Sequence, residues 1–189
     1  VAEGVPLHLE NAGKCLDGLL ANAKLYNLEL HGTEADCAAL KEPLKALPVS
    51  YFSRVAGFRT YEPTPGPHES FSQDTVVSVA TYYTVPEGKE AAAVAAAEKM
   101  AEAAKGDKGV VAFSFFMKED KSVLFHRADF KTAAGWWLLN QMMTSLVDGS
   151  AMTLEKCEVH GPAAQVQEAK ALTGDTCEYW TMQESAFRA

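Results

Sequence analysis

Three polar side chains in largely apolar segments could act together on a bound molecule: Tyr83, His126 and Asn140. Imidazole titrates near neutral pH, so His126 could serve as a general base. Tyr83 and Asn140 could orient a substrate in an apolar cavity by hydrogen bonds. A single His on a strand is more often a structural residue, so the sequence leaves both core packing and catalysis open as interpretations.

The dipeptide His-Gly occurs twice, as His31-Gly32 and His160-Gly161, each time at the start of a predicted helix. Gly permits tight backbone turns, and a helix N-terminus can bind an anion. Because the dipeptide recurs within a longer internal repeat, we interpret it as a turn motif of the fold rather than as a binding site.

The four cysteines are Cys15, Cys37, Cys157 and Cys177. They form no Cys-x-x-Cys motif and no Cys/His cluster with zinc-ligand spacing, so the sequence predicts no metal site. The pattern favours buried thiols or one or two structural disulfides, the latter in an oxidising compartment.

The bulk composition excludes some classes of partner. Hydrophobic residues make up 48% and charged residues 22%, which is typical of a folded globular protein. The formal net charge of -8 argues against nucleic acid and against an anionic membrane surface as partners. No apolar run reaches the about 18 residues that a transmembrane helix needs, so no transmembrane segment is predicted.

The second half of the chain predicts alternating strands and helices. Runs rich in β-branched and aromatic residues predict strands, whereas an alanine-rich run that Gly106 follows predicts a helix. The predicted strands cover 74–85, 110–117, 122–128, 154–160 and 177–182; the predicted helices cover 89–105, a segment capped by Asp129 that ends near 146, and 162–172. This order, β-α-β-β-α-β with an extra helix and strand, is that of a ferredoxin-like split βαβ fold.

An internal repeat connects the two halves of the chain. When 25–59 is laid without gaps over 154–188, about two identities are expected by chance. The identities found are Leu25/Leu154, Glu29/Glu158, His31/His160, Gly32/Gly161, Ala35/Ala164, Lys41/Lys170, Phe58/Phe187 and Arg59/Arg188, and Tyr51/Trp180 match in kind. A weaker match joins Val5-Pro6-Leu7-His8 to Val123-Leu124-Phe125-His126.

The repeat divides the chain into three segments. Residues 1–59 are predicted to form a partial copy that begins at its third strand, and residues 74–189 a complete copy. Residues 60–73 between them contain Pro63, Pro65, Gly66 and Pro67, which predicts an extended linker.

The complete copy resembles the antibiotic-biosynthesis-monooxygenase-like (ABM) family of dimeric α+β barrels. The resemblance is carried by Tyr82-Tyr83-Thr84-Val85-Pro86-Glu87-Gly88-Lys89, Gly109-Val110-Val111-Ala112-Phe113 and His160-Gly161-Pro162-Ala163-Ala164. In the partial copy it is carried by His31-Gly32-Thr33-Glu34-Ala35 and Leu40-Lys41-Glu42-Pro43-Leu44. It implies small homodimers whose sheets pair into a barrel. Many members of the family are cofactor-independent oxygenases of phenols or quinols, and others degrade heme.

Departures from the family pattern bear on the site. Trp136 and Trp137 lie where the family often has a pocket His, and Leu146-Val147-Asp148 lacks the heme-ligating His of the heme-degrading branch. Heme is therefore not expected, and no cofactor is predicted. Phe113, Phe115, Trp136 and Trp137 are predicted to line a substrate pocket or to fill the core.

The apolar stretch 136–143 cannot face one side of a helix along its whole length, because successive residues are about 100° apart. Met142 and Met143 are therefore interface candidates, to be covered by the partial copy, by a second copy of the chain or by another protein.

Two functions are compatible with these features. The first is a non-catalytic interaction module, an accessory or linker subunit of a larger protein assembly. The alternative is a cofactor-independent monooxygenase acting on a small aromatic or quinol substrate. The chain begins with Val1 and is interpreted as processed or trimmed, so its compartment stays open; an organelle such as a plastid is one setting.

Overall fold

A computed structural model describes residues 21, 23–59, 76–145 and 151–181. The described part combines one seven-stranded sheet with four helices, which confirms the predicted α+β class. In chain order the elements are β1 (Leu28–Gly32), α1 (Glu34–Leu40), β2 (Val49–Arg59), β3 (Val77–Thr84), α2 (Glu90–Ala104), β4 (Val110–Lys118), β5 (Val123–Phe130), α3 (Ala133–Thr144), β6 (Thr153–Gly161), α4 (Ala163–Thr173) and β7 (Glu178–Thr181).

The strands lie in the order β1-β2-β4-β5-β3-β6-β7. The four strands in the middle, β4, β5, β3 and β6, pair antiparallel with one another. β3 thus lies between β5 and β6 in the sheet, although it is next to neither in sequence. α2 and β4 come between β3 and β5, and α3 comes between β5 and β6.

Each end of the sheet is a strand–helix–strand unit with parallel strands. β1, α1 and β2 form one unit, and β6, α4 and β7 form the other. The first unit joins the middle of the sheet because β2 pairs antiparallel with β4, so both predicted copies contribute to one continuous sheet.

The helices α2 and α3 cover one face of the sheet. The buried side of α2 consists of Met100 and alanines, among them Ala93, Ala97 and Ala104, and small side chains let a helix lie close to a sheet. α3 is linked to α4, since the backbone N–H of Ala133 donates to Gln165 Oε1 at 2.8 Å.

The sheet curls strongly towards its other face, here called the concave face. Tyr82 Oη of β3 donates to Glu29 Oε2 of β1 at 3.0 Å, and the ring centroids of His31 and Phe125 lie 4.3 Å apart. β1 is separated from β5 and β3 by intervening strands in the sheet order, so only a curled sheet brings these side chains together.

A β-bulge interrupts the pairing of β2 with β4 between Arg54 and Ala56. Gly57 follows it with a φ of +125°, and a Cβ there would meet the carbonyl oxygen of Phe113 at 2.2 Å. Only Gly tolerates this conformation and this close approach.

The predicted elements of the second half agree with the structure in order, with one correction at α3. Asp129 does not cap that helix, because β5 continues to Phe130 and the Asp129 carboxylate accepts a hydrogen bond from Ser78 Oγ at 2.6 Å. The cap is Thr132, whose Oγ1 accepts from the N–H of Gly135 at 3.1 Å.

Some predictions fall outside the described residues. These are the 60–73 linker, the upstream match at Val5-Pro6-Leu7-His8, the identities at Phe187 and Arg188, the segment Leu146-Val147-Asp148, and Cys15. Within the described ranges, no helix has both the length and the apolar character to cross a bilayer.

Candidate functional site

The three predicted catalytic candidates line a single small cavity between the sheet and helices α2 and α3. Tyr83 comes from β3, His126 from β5 and Asn140 from α3. The cavity has a volume of about 30 Å³, and the other lining residues are Thr81, Met100, Phe113, Phe115, Phe130, Trp136, Leu139 and Met143. Small-molecule sites usually measure about 300–1,000 Å³, so this cavity holds no more than a water molecule.

His126 is enclosed by aromatic rings. Its ring centroid lies 4.4 Å from that of Phe113 and 4.4 Å from that of Phe115, with which it stacks. Its Nε2 has no hydrogen-bond partner among the described residues. Burial lowers the pKa of His126 to about 3, so the imidazole is neutral near pH 7 and is a weak base.

Tyr83 is also unsuited to proton transfer in this enclosure. Burial raises the pKa of Tyr83 to about 12, so its phenol stays protonated. A general base works best when its pKa lies near the operating pH. The pKa values of Tyr83 and His126 are shifted in opposite directions, and both lie far from neutral pH. Neither side chain is therefore a good general base for deprotonating a quinol.

The four residues predicted to line a pocket or fill the core separate into two groups. Phe113, Phe115 and Trp136 are buried and occupy the space between the sheet and α3. Trp137 is partly exposed and touches Trp136 edge-on at a centroid distance of 6.2 Å. The buried aromatic side chains fill the volume that a substrate would need.

The two interface candidates on α3 differ in the same way. Met142 is 58% exposed, and Leu138, one turn earlier on the same side, is 62% exposed. Met143 is buried and lines the cavity, which corrects its assignment as an interface residue. Sequence analysis missed Leu138, although its spacing of four residues from Met142 places both on the same side of a helix.

The first His-Gly motif belongs to an aromatic cluster on the concave face. His31 stacks on Phe52 at 4.7 Å, meets Phe116 edge-on at 5.2 Å and lies beside Phe125 at 4.3 Å. Its Nε2 lies 3.2 Å from Glu29 Oε2, which also accepts from Tyr82. Burial lowers the pKa of His31, and Glu29 opposes this effect.

The second His-Gly motif has matching contacts but a more open environment. His160 stacks on Trp180 at 6.2 Å with an interplanar angle of 10°, and its Nε2 lies 3.6 Å from Glu158 Oε2. Lys156 bridges Glu158 at 2.6 Å and Glu178 at 3.2 Å. Trp180 remains 52% exposed.

The two units therefore share a Glu-x-His-Gly strand end and an aromatic ring on the neighbouring strand. We call β1, α1 and β2 the covered unit, because Phe116 and Phe125 lie over His31. We call β6, α4 and β7 the open unit. Sequence analysis missed Phe52, Phe116 and Phe125 as partners of His31, although the recurrence of Glu29 with His31 as Glu158 with His160 signalled a shared contact.

The glycines of the two motifs serve close approach rather than a turn. Gly32 and Gly161 are the last residues of β1 and β6. A Cβ on Gly161 would lie 3.3 Å from the carbonyl oxygen of Val76, and one on Gly32 would lie 3.3 Å from Asp36 Cβ. The caps differ, since Thr33 Oγ1 accepts from Asp36 N at 3.1 Å while Pro162 has no side-chain cap.

A much larger groove, of about 800 Å³, lies between α1 and α2 and contains none of the predicted site residues. Its rim is charged, with Glu34, Lys41, Glu98 and Lys121 among the lining residues. Within the described residues, no three His, Cys, Asp or Glu side chains come together as a metal site.

Comparison with known proteins gives a likeness of fold. No protein-family model matches the chain, and no curated protein does. Among solved structures, the chain is similar to MupZ from Pseudomonas fluorescens, with 17% sequence identity and a TM-score of 0.54. The match covers 60% of this chain and 94% of that chain. At this level of identity, the likeness shows a shared fold and nothing about activity.

Proposed function

We propose that this chain is a non-catalytic interaction module, an accessory or linker subunit of a larger protein assembly. The observation that carries the proposal is the contrast between the covered and the open unit. In the covered unit, β2 pairs with β4 and aromatic side chains of β4 and β5 lie over His31. In the open unit, β7 pairs with β6 alone among the described strands, and Trp180 is half exposed.

The proposal treats the two units as copies of one ancestral element. In both units, a strand that ends in Glu-x-His-Gly is followed by a helix and then by a strand parallel to the first. The order β6-β3-β5-β4 is the order expected for a ferredoxin-like split βαβ unit, and it supports our proposal that the second half is an ABM-like domain. The covered unit then supplies the last part of a partial first copy.

This equivalence defines the partner that β7 would accept. β2 uses its edge to pair antiparallel with β4 of the other copy, so the corresponding edge of β7 is expected to receive an antiparallel strand. Strand addition to an exposed edge is a common mode of protein recognition. The partner is a protein whose strands place aromatic side chains over His160 and Trp180, as β4 and β5 do over His31.

The interior of the sheet–helix layer supports a non-catalytic role. Its cavity of about 30 Å³ is too small for an aromatic substrate. The exposed Leu138 and Met142 on α3 add a second apolar surface of the kind found at interfaces. The proposal requires no cofactor or metal.

The test is the native mass of the particle that contains this chain. A tagged chain is expressed in its source cells and measured by size exclusion with light scattering, beside Trp180→Asp and, as a control, Tyr26→Asp. Tyr26 is 91% exposed and lies outside the open unit, so its variant should behave as wild type. We expect a large particle for wild type and control, and the free chain for Trp180→Asp. A wild-type chain that runs alone or as a simple dimer contradicts the proposal.

The second candidate function is a cofactor-independent monooxygenase acting on a small aromatic or quinol substrate. It is favoured by the convergence of Tyr83, His126 and Asn140 on one cavity, where His126 Nε2 has no partner among the described residues. This function requires the cavity to expand around a substrate. Oxygen uptake with a panel of quinols tests it, and uptake that is lost in His126→Ala would overturn the preference for an interaction module.

A further inference from the structure

We propose that Cys157 and Cys177 form a reversible dithiol–disulfide pair that covalently links the edge strand β7 to β6. The proposal concerns a modification site in the open unit and holds whether or not that unit binds a protein partner. It rests on strand register, on side-chain direction and on a difference in accessibility between the two thiols.

The strand register, continued by one residue beyond the start of β7, brings the two cysteines opposite each other. The parallel pairing of β6 with β7 begins at Glu158 and Glu178, and Cys157 and Cys177 are the residues immediately before that pair. Neighbouring strands lie about 4.8 Å apart, within the Cα separation of about 4.4–6.8 Å that a disulfide spans.

Both side chains project to the same side of the sheet. Alternation along the strands puts Cys157 with Val159 and Cys177 with Tyr179, and all of these pack in or against the core. The two thiols are close enough for each to shift the pKa of the other, and Thr81 lowers the pKa of Cys157. Both thiols therefore lie on the core side of the sheet, next to each other.

The two thiols have different roles in the proposed reaction. Cys157 is buried, whereas Cys177 is partly exposed and precedes the short edge strand. The hydrogen bond from Cys157, followed by smaller effects of Thr176, Tyr179 and Thr173, lowers the pKa of Cys177 to about 6. The same interaction and burial raise the pKa of Cys157. Cys177 is thus the attacking thiolate and Cys157 the resolving thiol.

The oxidant belongs to the class of small-molecule disulfides. The Cys177 thiolate attacks one sulfur of the oxidant, forms a mixed disulfide and releases one small thiolate, which takes up a proton. Cys157 then loses its proton and attacks Sγ of Cys177, which forms the Cys157–Cys177 bond and releases the second small thiol. Two protein thiols are oxidised, and one disulfide is reduced to two thiols.

Cys37 provides a control within the same fold. It is buried, and its Sγ donates to the carbonyl oxygen of Phe52 at 3.5 Å rather than facing another thiol among the described residues. A cysteine in that setting has no partner with which to close, so it should stay reduced under conditions that oxidise the Cys157–Cys177 pair.

The test is peptide mapping after equilibration with mixtures of oxidised and reduced glutathione. Cleavage after Lys and Arg puts each cysteine in a different peptide, with Cys157 in 157–170 and Cys177 in 171–188. The full chain is equilibrated, free thiols are alkylated, and the digest is analysed with and without reductant. We expect the cross-linked pair 157–170 plus 171–188 to appear as the buffer becomes more oxidising and to vanish on reduction.

The variants separate the two thiols. Cys157→Ser should stop the reaction at a glutathione adduct on Cys177, whereas Cys177→Ser should leave Cys157 unmodified. Cys37→Ser should form the cross-linked pair as the wild type does. In the unmodified chain, brief treatment with iodoacetamide should label the peptide of Cys177 before that of Cys157, which checks the assignment without any substitution.

Three results would overturn the proposal. The first is wild-type protein that accumulates the glutathione adduct without the cross-linked pair. The second is Cys157 or Cys177 joined mainly to Cys15 or Cys37. The third is both thiols remaining reduced in fully oxidised glutathione.

Discussion

The covered and open units show how one local sequence pattern gives two surfaces of different exposure. In the covered unit, Phe52 is 2% exposed and lies under His31, whereas Trp180 in the corresponding place of the open unit is 52% exposed. The strand ends are alike in sequence, so the difference comes from the neighbouring strands. β4 and β5 supply Phe116 and Phe125 to the covered unit, and the described residues supply no counterpart to the open unit.

The largest expected difference is between Phe52→Ala and Trp180→Ala. Removing a buried aromatic side chain costs about 3–5 kcal/mol of unfolding free energy, because it leaves a cavity. Removing the exposed ring should cost about 1 kcal/mol or less. Urea unfolding of the isolated chain measures both values. Equal losses would mean that the open unit is covered in solution.

The two glycines offer a second comparison, between Gly161→Ala and Gly32→Ala. A methyl group on Gly161 would press on the backbone carbonyl of Val76, which cannot move without shifting β3. A methyl group on Gly32 would meet Asp36 Cβ, and the seven-residue helix α1 would have to shift slightly to relieve this contact. We expect Gly161→Ala to cost about 1–3 kcal/mol of unfolding free energy and Gly32→Ala less, because a short helix shifts more easily than a strand within the sheet. Thermal unfolding distinguishes them, and the reverse order would contradict the difference in packing.

Lowering the pH should reduce the unfolding free energy through the buried side chain of His126. The pKa of His126 is about 3 in the folded chain and about 6.5 when unfolded, so the unfolded chain binds the extra proton between these values. The contribution of neutral His126 to the unfolding free energy is therefore fully present above about pH 6.5. It declines by at most about 1.4 kcal/mol per pH unit as the pH falls towards 3. His31 contributes in the same direction, because burial lowers its pKa as well.

The variant that isolates this contribution is His126→Phe, which keeps an aromatic ring between Phe113 and Phe115. Unfolding free energy is measured against pH for both proteins. The variant should show a shallower decline below pH 6.5. Two parallel curves would mean that His126 is not held neutral in the folded state.

The smallest comparison concerns the helix caps. Thr33→Ala removes the acceptor of the Asp36 N–H and should cost about 1 kcal/mol. Pro162→Ala removes no side-chain cap and should cost only about 0.5 kcal/mol through the greater freedom of the unfolded chain. Chemical denaturation with replicate measurements resolves a difference of this size. An equal loss would indicate that the Thr33 hydroxyl does not stabilise α1.

Local patterns predicted most elements but not their long-range arrangement. The alternation in β4 and the alanine-rich run of α2 gave segments close to Val110–Lys118 and Glu90–Ala104. Asp129 was misassigned because its cross-strand partner Ser78 is distant in sequence. The pairing of β2 with β4 and the curl that brings Glu29 to Tyr82 depend on non-local contacts, which residue periodicity does not encode.

The candidate site shows the same limit. Sequence reasoning selected Tyr83, His126 and Asn140, which do converge, but it could not give the volume between them. That volume depends on the rotamers of Trp136 and its neighbours. The ungapped repeat matched Tyr51 to Trp180, whereas the structure pairs His31 with Phe52 and His160 with Trp180. A shift of one residue changes which face of a strand a side chain occupies.

The bulge in β2 fixes the alignment of this strand with β4, and β7, as far as the structure describes it, lacks a comparable feature. Because the strand changes face between Arg54 and Ala56, it directs Phe52 to the concave side and Phe58 towards Phe113 on the helical side. Sliding β2 along β4 by one residue would misplace both rings, so this strand has a single alignment. The described part of β7 has no such irregularity. A partner strand that adds to the edge of β7 would therefore be aligned only by its side-chain contacts. Strands of related sequence could then replace one another at this edge.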